Sequence, residues 1–222
     1  MKKTLYSLML SDEVIREIDI LAHRMGTSRS ALVNQILAEH VSIRTPEQQI
    51  NDIFRAMEEM ISPSRELVPF FEQGAPTMSM KSCLEYKYRP TVRYEVELSR
   101  VISEEAPMGS LSVIFRTQSA ALIDAMTAFF RLWKRIEEQT LTPLIGSAPE
   151  FALYDGRFVR TIAYPTVRGR QRDLDSRELA SAISGYVQCF DSLLKAYISG
   201  GMSAEAVALE YQNDLSQREI LI

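Results

Sequence analysis

The chain has 222 residues, of which 46% are hydrophobic and 24% are charged, and its net charge at pH 7 is −4. Such a composition excludes a disordered protein, and the length fits one large domain or two small ones at about 150 residues per domain. Apolar runs stay short of the roughly 18 residues that span a bilayer, and Met1-Lys2-Lys3 is not followed by a long apolar signal segment. We therefore expect neither a membrane protein nor a secreted one.

Cysteine usage points to a reducing compartment. Cys83 and Cys189 are the two cysteines and lie far apart in the sequence, which leaves no disulfide framework and no paired zinc knuckle. A cytoplasmic location is the expectation. Charge is uneven along the chain, because residues 1–44 carry a small positive balance and the remainder is acidic. That asymmetry permits contact with nucleic acid at the amino end without requiring it.

The first 44 residues predict one strand and two helices. Residues 4–10 alternate loosely and favour a strand, after which Ser11 has the position of a helix N-cap. Apolar residues then recur at three- and four-residue steps until Gly26, and Thr27-Ser28-Arg29-Ser30 opens a second amphipathic helix.

So small a unit does not stabilise itself, and its unpaired strand exposes backbone donors and acceptors. Antiparallel pairing with the same strand of a second copy meets both needs under two-fold symmetry. We therefore expect residues 1–44 to form an obligate dimer.

The same residues resemble a known DNA-binding family. Leu8-Met9-Leu10-Ser11-Asp12-Glu13-Val14 before the first helix, and Met25-Gly26-Thr27-Ser28-Arg29-Ser30-Ala31-Leu32 between the helices, are similar to the ribbon-helix-helix fold of the MetJ and Arc type. The resemblance covers about a fifth of the chain. It implies that paired strands enter the major groove of double-stranded DNA and that amides at the start of the second helix bind a phosphate.

The resemblance also assigns positions for DNA contact. If Tyr6, Leu8 and Leu10 pack on the helices, Leu5, Ser7 and Met9 face the groove. Ser7 is the hydrogen-bonding reader of these, whereas Leu5 and Met9 offer apolar contact to thymine methyl groups. The residues expected to contact phosphates or to cap the clamp helix are Lys2, Lys3, Thr27, Ser28, Arg29 and Ser30. The apolar Leu5 and Met9 leave open an alternative, in which the unit dimerises without binding DNA.

Residues 45–82 are expected to be a helical linker. Thr45-Pro46-Glu47-Gln48 is a good helix start, and the apolar spacing carries this helix to about Met60. Ser62-Pro63-Ser64 breaks it, a shorter helix is expected over residues 67–71, and residues 72–82 are interpreted as a loop.

Residues 83–222 predict an α+β domain. Alternation over residues 84–98 indicates a strand that Pro90 interrupts, and a second strand follows at Leu111 to Phe115. Asp155-Gly156 is typical of a tight hairpin turn between two further strands. Two long helices, one near residues 122–136 and one capped by Asp175, and a short helix from Ser203 complete the order. The prediction is a two-layer domain with an antiparallel sheet of about four strands and both long helices on one face. No family resemblance extends to this part.

The sequence gives only weak signs of catalysis or of cofactor binding. We therefore expect that the protein is not an enzyme and that it binds neither a metal nor a cofactor. His23 and His40 are the two histidines and both fall in the amino-terminal helices, so Ser-His-Asp or Cys-His arrangements and a nickel-sensing carboxyl domain are excluded. Ser192-Leu-Leu-Lys195 matches a nucleophile spacing within a helix, without companion motifs. No glycine-rich loop follows a strand.

One arginine-rich stretch carries a second hypothesis. Arg168, Arg170 and Arg172 lie in a loop before the last long helix and are candidates for accessory contacts with DNA phosphates or with an acidic ligand. A solvated loop that its charge keeps soluble is the favoured explanation of these arginines. The aromatic residues at alternating strand positions are interpreted as core residues. The alternative, that they form a platform on which bases of single-stranded nucleic acid stack, is less favoured.

These features lead to a dimeric, sequence-dependent DNA-binding protein, a transcriptional regulator such as a repressor. Its carboxyl domain would serve higher oligomerisation, or would bind an effector or a protein partner through residues 84–214. The alternative is a structural or partner-binding protein in which the amino-terminal unit provides dimerisation alone.

Overall fold

The computed structural model describes residues 5–41, 45–86, 89–100, 106–146, 148–167, 170–171 and 174–222. Its helices are α1 (Asp12–Arg24), α2 (Arg29–His40), α3 (Pro46–Ile61), α4 (Ala120–Thr140), α5 (Thr142–Ile145), α6 (Ser176–Ile198) and α7 (Ala204–Gln217). Its strands are β1 (Val68–Phe71), β2 (Thr77–Cys83), β3 (Thr91–Leu98), β4 (Gly109–Phe115), β5 (Phe151–Tyr154), β6 (Arg157–Ile162), β7 (Thr166–Val167), β8 (Arg170–Gln171) and β9 (Ile220–Leu221). None of the helices in these described ranges is long and apolar enough to cross a membrane.

Helix starts follow the predicted caps. The side chains of Ser11, Ser28 and Thr45 accept hydrogen bonds from first-turn amides of α1, α2 and α3, and Thr45 forms a full capping box with Gln48. Asp175 does the same for α6, with Glu178 reaching back to the Asp175 amide. These caps accept hydrogen bonds from first-turn amides, which have no partners within the helix. Because this need is local, the cap residues in the sequence predicted where the helices begin.

Six antiparallel strands form the main sheet, in the order β1-β2-β3-β4-β6-β5. Alternation along each strand divides the sheet into two faces. Val92, Tyr94 and Val96 of β3 are buried on the inner face, and Arg93 and Glu97 of the same strand are exposed on the outer face.

The helices α3, α4 and α6 cover the inner face and complete the core. Ile53, Phe54 and Met57 of α3 are buried, and α3 packs along α6. Phe130 of α4 stacks on Phe158 of β6 with ring centroids 4.8 Å apart. The mixed α+β class and the antiparallel sheet are therefore confirmed, with helices on one face.

The number of strands and one stretch of secondary structure were predicted wrongly. The main sheet has six strands instead of about four. The expected helix over residues 67–71 is strand β1, and the expected loop over residues 72–82 contains most of strand β2. The strand expected from residue 84 begins only at Thr91, because the chain turns before it, with the Leu84 amide bonded to the Pro90 carbonyl.

The helical-linker prediction for residues 45–82 needs the same correction. This stretch comprises helix α3 and strands β1 and β2, and its apolar side chains join the core formed with α4 and α6. The physical reason is the amphipathic face of α3, which buries six residues against the domain instead of bridging through solvent.

The amino-terminal strand is not formed in the single chain. Residues 5–10 have no strand partner, while α1 and α2 match the predicted helices within one or two residues. Pairing of this segment with a second copy stays a prediction.

A small three-stranded sheet, in the order β8-β7-β9, lies at the other end of the sequence. Within the arginine-rich stretch expected as a loop, Val167 belongs to β7 and Arg170 and Gln171 form β8, and the two strands pair with each other. Arg170 belongs to β8, and Arg168 and Arg172 lie outside the described residues.

Candidate nucleic-acid interface

Exposure alternates along the segment before α1. Leu5 and Met9 are fully exposed, whereas Leu8 and Leu10 are 51% and 40% exposed. Ser7, the expected base reader, is also exposed. Tyr6 departs from the alternation at 82%, so the expected packing of Tyr6 on the helices is not made within one chain. Leu5, Ser7 and Met9 are exposed in the single chain, and their position facing a DNA groove stays a prediction.

Residues 5–41 leave a large apolar surface uncovered. Their buried side chains are Ala22 and Leu32. A groove of about 440 Å³ runs between α1 and α2, lined by Val14, Ile18, Leu21 and Ile36 among others. The exposed large apolar side chains of this segment are Leu5, Tyr6, Leu8, Met9, Leu10, Val14, Ile20, Leu21, Ile36, Leu37 and Val41. Contiguous apolar surface of this kind marks an interaction site.

The start of α2 has the geometry of an anion site. Gly26 has a φ of +62°, which lets the chain turn sharply between the helices. Ser28 caps α2 by accepting from the Ala31 amide at 3.2 Å. The amides of Arg29 and Ser30 open the helix, where first-turn amides lack intrahelical carbonyl partners and attract anions. Thr27, Ser28, Arg29 and Ser30 thus lie at the start of α2, and their contact with phosphate stays a prediction.

Arg29 is already engaged by a carboxylate. Its Nε and Nη2 atoms donate to the two carboxylate oxygens of Asp19, both at 2.5 Å. The pair is about half exposed and links α1 to the start of α2. A phosphate at this helix start would therefore compete with Asp19 for the guanidinium. Sequence reasoning missed this pair because the two residues are ten positions apart on different helices.

Several of the predicted contact residues are not among the residues that the structure describes. Lys2, Lys3, Arg168 and Arg172 fall outside the described residues, and nothing is described of the Arg170 side chain. His23 lies in the last turn of α1, and His40 is the last residue of α2. Among the residues that the structure describes, no group of three or more His, Cys, Asp or Glu side chains could hold a metal ion.

A buried polar cluster in the larger domain was not anticipated. Arg160 is fully buried, its Nε donates to Glu137 at 2.8 Å and its Nη2 donates to the Ile222 carbonyl at 2.6 Å. Tyr211 donates to the other Glu137 oxygen, and the guanidinium lies 4.3 Å from the centroid of the Tyr186 ring. Alternation on β6 does place Arg160 inward with Phe158, so the signal was present in the sequence.

This cluster is structural in character. Burial alone would lower the pKa of Arg160, but the Glu137 carboxylate, together with Tyr186 and Tyr211, outweighs burial and raises the pKa. Burial and the same carboxylate raise the pKa of Tyr211. The adjoining cavity is about 10 Å³, room for a single water at most. The Arg160–Glu137 ion pair is therefore enclosed within the domain.

Two potential nucleophiles are held in unreactive forms. Lys195 binds Asp191 at 2.6 Å; burial alone would lower its pKa, but the carboxylates of Asp191 and Glu66 together outweigh burial and raise the pKa. A protonated ammonium cannot serve Ser192 as a base. Cys189 lies in a groove of about 680 Å³ between α6 and α7, where burial first and Asp214 second raise its pKa to about 12. Its thiol is therefore protonated at neutral pH.

Comparison with known proteins yields no match to a family model, a curated protein or a solved structure.

Proposed function

We propose that the chain is a dimeric DNA-binding protein, a transcriptional regulator, whose residues 5–41 pair with those of a second copy. The observation that carries the proposal is the uncovered apolar surface of this segment, which buries only Ala22 and Leu32 by itself. Two copies paired through residues 5–10 would satisfy the strand backbone and cover Leu8, Leu10 and the groove between α1 and α2. Leu5, Ser7 and Met9 would then form the outer side of a two-stranded ribbon.

The start of α2 supports DNA as the ligand. Its capped first turn offers amides to a phosphate, and a dimer presents this feature twice. Phosphate contacts set register on the duplex, while Ser7 reads base edges.

The direct test is a gel-shift assay of the purified protein on its own upstream DNA and on a random duplex, at two salt concentrations. A sequence-dependent regulator should keep its preference for the upstream DNA at the higher salt, although both affinities fall because phosphate contacts release counterions. Equal salt-sensitive binding to both duplexes would contradict sequence dependence. Absence of binding to either would overturn the DNA proposal.

The Arg29–Asp19 pair provides a matched set of variants. Arg29→Ala should weaken binding to every sequence, since it removes a cation beside the phosphate position. Asp19→Asn should strengthen binding to every sequence, because it removes a competing carboxylate 2.5 Å from the guanidinium. Ser7→Ala should change the preference among sites and leave nonspecific binding unchanged. If both Arg29→Ala and Asp19→Asn leave affinity unchanged, Arg29 has no role in the interface.

A second candidate function is dimerisation without DNA, with the α+β domain as the working part. The fully exposed, apolar Leu5 and Met9 favour it, because hydrogen-bonding side chains are the usual readers of base edges. A native mass of a dimer together with no affinity for either duplex would establish this alternative.

A further inference from the structure

The outer face of the main sheet is divided by charge along the strand direction. Strand register aligns one cross-strand row from β1 to β5 that contains three cations. The members of this row, called here the basic row, are Val68, Lys81, Arg93, Ile114, Arg157 and Tyr154. Lys81, Arg93 and Arg157 are all exposed.

A second cross-strand row lies four residues further along the strands. Its charged members are Glu97 and Glu150, and it is called here the acidic row. Thr77, Glu97, Ser110 and Thr161 are aligned there, and Glu97 is exposed. Glu150 stands level with Thr161, whose amide donates to the Glu150 carbonyl. At about 3.4 Å per residue the basic and acidic rows are about 14 Å apart.

Between them lies a middle row with little net charge. It comprises Phe70, Ser79, Glu95, Ser112, Val159 and Ala152. Arg93 pairs with Glu95 at 3.2 Å, and Arg157 donates to Ser112 at 2.9 Å. Phe70 is 65% exposed, so the face also has an uncovered aromatic side chain at its β1 edge.

We propose that this outer face binds the same face of a second copy of the chain, turned about a two-fold axis that runs along the middle row. That rotation reverses the strand direction, so the basic row of each copy lies over the acidic row of the other. Arg93 then faces Glu97 of the other copy on β3, twice per interface, and the two Phe70 side chains meet at the β1 edge. A face that is complementary to itself in this way fits an isologous contact.

The position of residues 5–41 determines which copies are joined. The end of α2 touches the start of α3, where Gln48 donates to Glu39 at 2.8 Å. The start of α3 lies at the acidic end of the sheet, because Glu47 pairs with Arg100 after β3 and Asn51 accepts from the Gly74 amide before β2. Two copies in the reversed arrangement therefore carry their amino-terminal units at opposite ends.

The sheet contact consequently joins different dimers. It takes the dimer proposed above as its starting point and adds a second isologous interface, and two such interfaces on one chain link dimers into tetramers, rings or longer chains. The footprint is roughly 24 Å by 20 Å, or about 500 Å² per copy, from the spacings of strands and residues. Stable interfaces bury about 800 Å² per partner, so this contact is weak and sensitive to salt.

The experiment is sedimentation of the full chain at low and high protein concentration and at low and high salt. The wild type should exceed the mass of a dimer at high concentration and low salt, and should return to a dimer at high salt. The Arg93→Glu variant and the Glu97→Arg variant should each remain a dimer, with half the mass of a tetramer. In each variant, residues 93 and 97 carry the same charge, so like charges would face each other across the sheet contact. An equimolar mixture of the two variants should regain the larger mass. The Arg93→Glu variant presents acidic residues at positions 93 and 97, and the Glu97→Arg variant presents basic residues there, so the two faces attract each other.

A matched control separates this effect from a general change in charge. Lys134→Glu makes a positive side chain negative, as Arg93→Glu does, but on the exposed surface of α4, and should associate like the wild type. Thermal melts followed by circular dichroism establish that each variant is folded.

The possible results distinguish this inference from the proposed function. A wild type and an Arg93→Glu variant that are both dimers would overturn the sheet contact and leave the amino-terminal dimer standing. A wild-type dimer that Arg93→Glu turns into a monomer would establish the sheet contact and overturn the amino-terminal dimer. Monomers in both cases would overturn both. A wild type that stays dimeric while Glu97→Arg binds DNA more tightly would assign the face to nucleic acid instead.

Discussion

Arg160 shows how much can depend on one buried side chain. Its charge is compensated by Glu137 on α4, and its Nη2 atom is bonded to the Ile222 carbonyl beside β9. It therefore ties β6, α4 and the β9 segment together. Taking such a charge out of water costs several kcal/mol, which only its partners offset.

Replacing Arg160 alone should be far more costly than replacing the pair. Arg160→Met leaves the buried Glu137 without a cation, and we expect the free energy of unfolding to fall by about 3–5 kcal/mol. Arg160→Met combined with Glu137→Gln removes both charges and keeps an acceptor for the Tyr211 hydroxyl, so it should lose clearly less. Urea unfolding of the wild type and both variants measures this. Equal losses in the two variants would show that charge compensation is not what Glu137 contributes.

At this scale the sequence was informative where signals are local. Ser11, Ser28, Thr45 and Asp175 cap helices as predicted, because a cap is decided within four residues. The partners of Arg29 and Arg160 were not predictable in the same way, since the sequence does not state which carboxylate will lie nearby. Charge spacing along one helix reveals pairs four residues apart, and neither of these pairs is of that type.

Among the elements, the β5–β6 hairpin depends on Gly156. Its φ is +66°, and a Cβ atom added there would lie 2.8 Å from the Phe115 carbonyl oxygen, which is too close for a real contact. The sequence predicted this turn from Asp155-Gly156 alone.

Gly156→Ala should lower the stability of the protein by more than the left-handed backbone alone explains. That backbone costs about 1–2 kcal/mol for a residue with a Cβ atom. Gly146→Ala is the matched control, because Gly146 has a similar φ of +78° and open space around it. Thermal unfolding of both variants should show the larger drop in melting temperature for Gly156→Ala. Equal drops would mean that the Phe115 carbonyl at the end of β4 moves away from the added Cβ atom without loss of stability.

The segment before α1 makes a prediction of its own. If residues 5–10 form a ribbon with a second copy, Leu8→Asp should abolish the dimer, because Leu8 lies on the less exposed side that faces the helices. Met9→Asp should leave the dimer intact and weaken DNA binding by repulsion of phosphates. Native mass spectrometry and gel-shift assays measure the two properties. A dimer that survives Leu8→Asp, or that Met9→Asp destroys, would contradict the assigned sides.

Strands β1 and β2 show why an element can be missed. In β2 the inward residues are Met78, Met80 and Ser82, which are not the β-branched or aromatic residues typical of strands. β1 contains Pro69, which is tolerated because this strand lies at the sheet edge. Alternation was present in β2, but the glycine and proline before it favoured a loop. Strand pairing with β3 decided the matter.

At the scale of the whole molecule, the two parts differ in how they are stabilised. The α+β domain buries a continuous core of its own, whereas residues 5–41 bury two side chains. The class of the larger domain was predictable from the order of helices and strands. Its outer-face charge pattern was not, because the alignment of Lys81, Arg93 and Arg157 depends on register between strands distant in sequence.

Hydrogen exchange should reveal this difference as a dependence on concentration. Amides of α1 and α2 should exchange more slowly as the protein concentration rises, since dimerisation stabilises the folded form by mass action. At high salt, where the sheet contact is absent, amides of β3 and β4 should exchange at rates independent of concentration, because the domain core is intramolecular. Uniform protection of α1 and α2 across dilution would mean that they are stable without a second copy.

The bond between Arg160 and the Ile222 carbonyl also imposes an order of events during synthesis. Residues 5–41 leave the ribosome before residue 222 is synthesised and, if they pair as proposed, can meet another nascent chain in that interval. The Nη2 atom of Arg160 gains its hydrogen bond only after residue 222 has been synthesised, and translation proceeds at roughly 5–20 residues per second. Roughly 180 residues separate the two moments, so partners on one messenger have on the order of ten seconds or more to pair before either large domain is finished. The choice of dimer partner would then be made between neighbours on the same message.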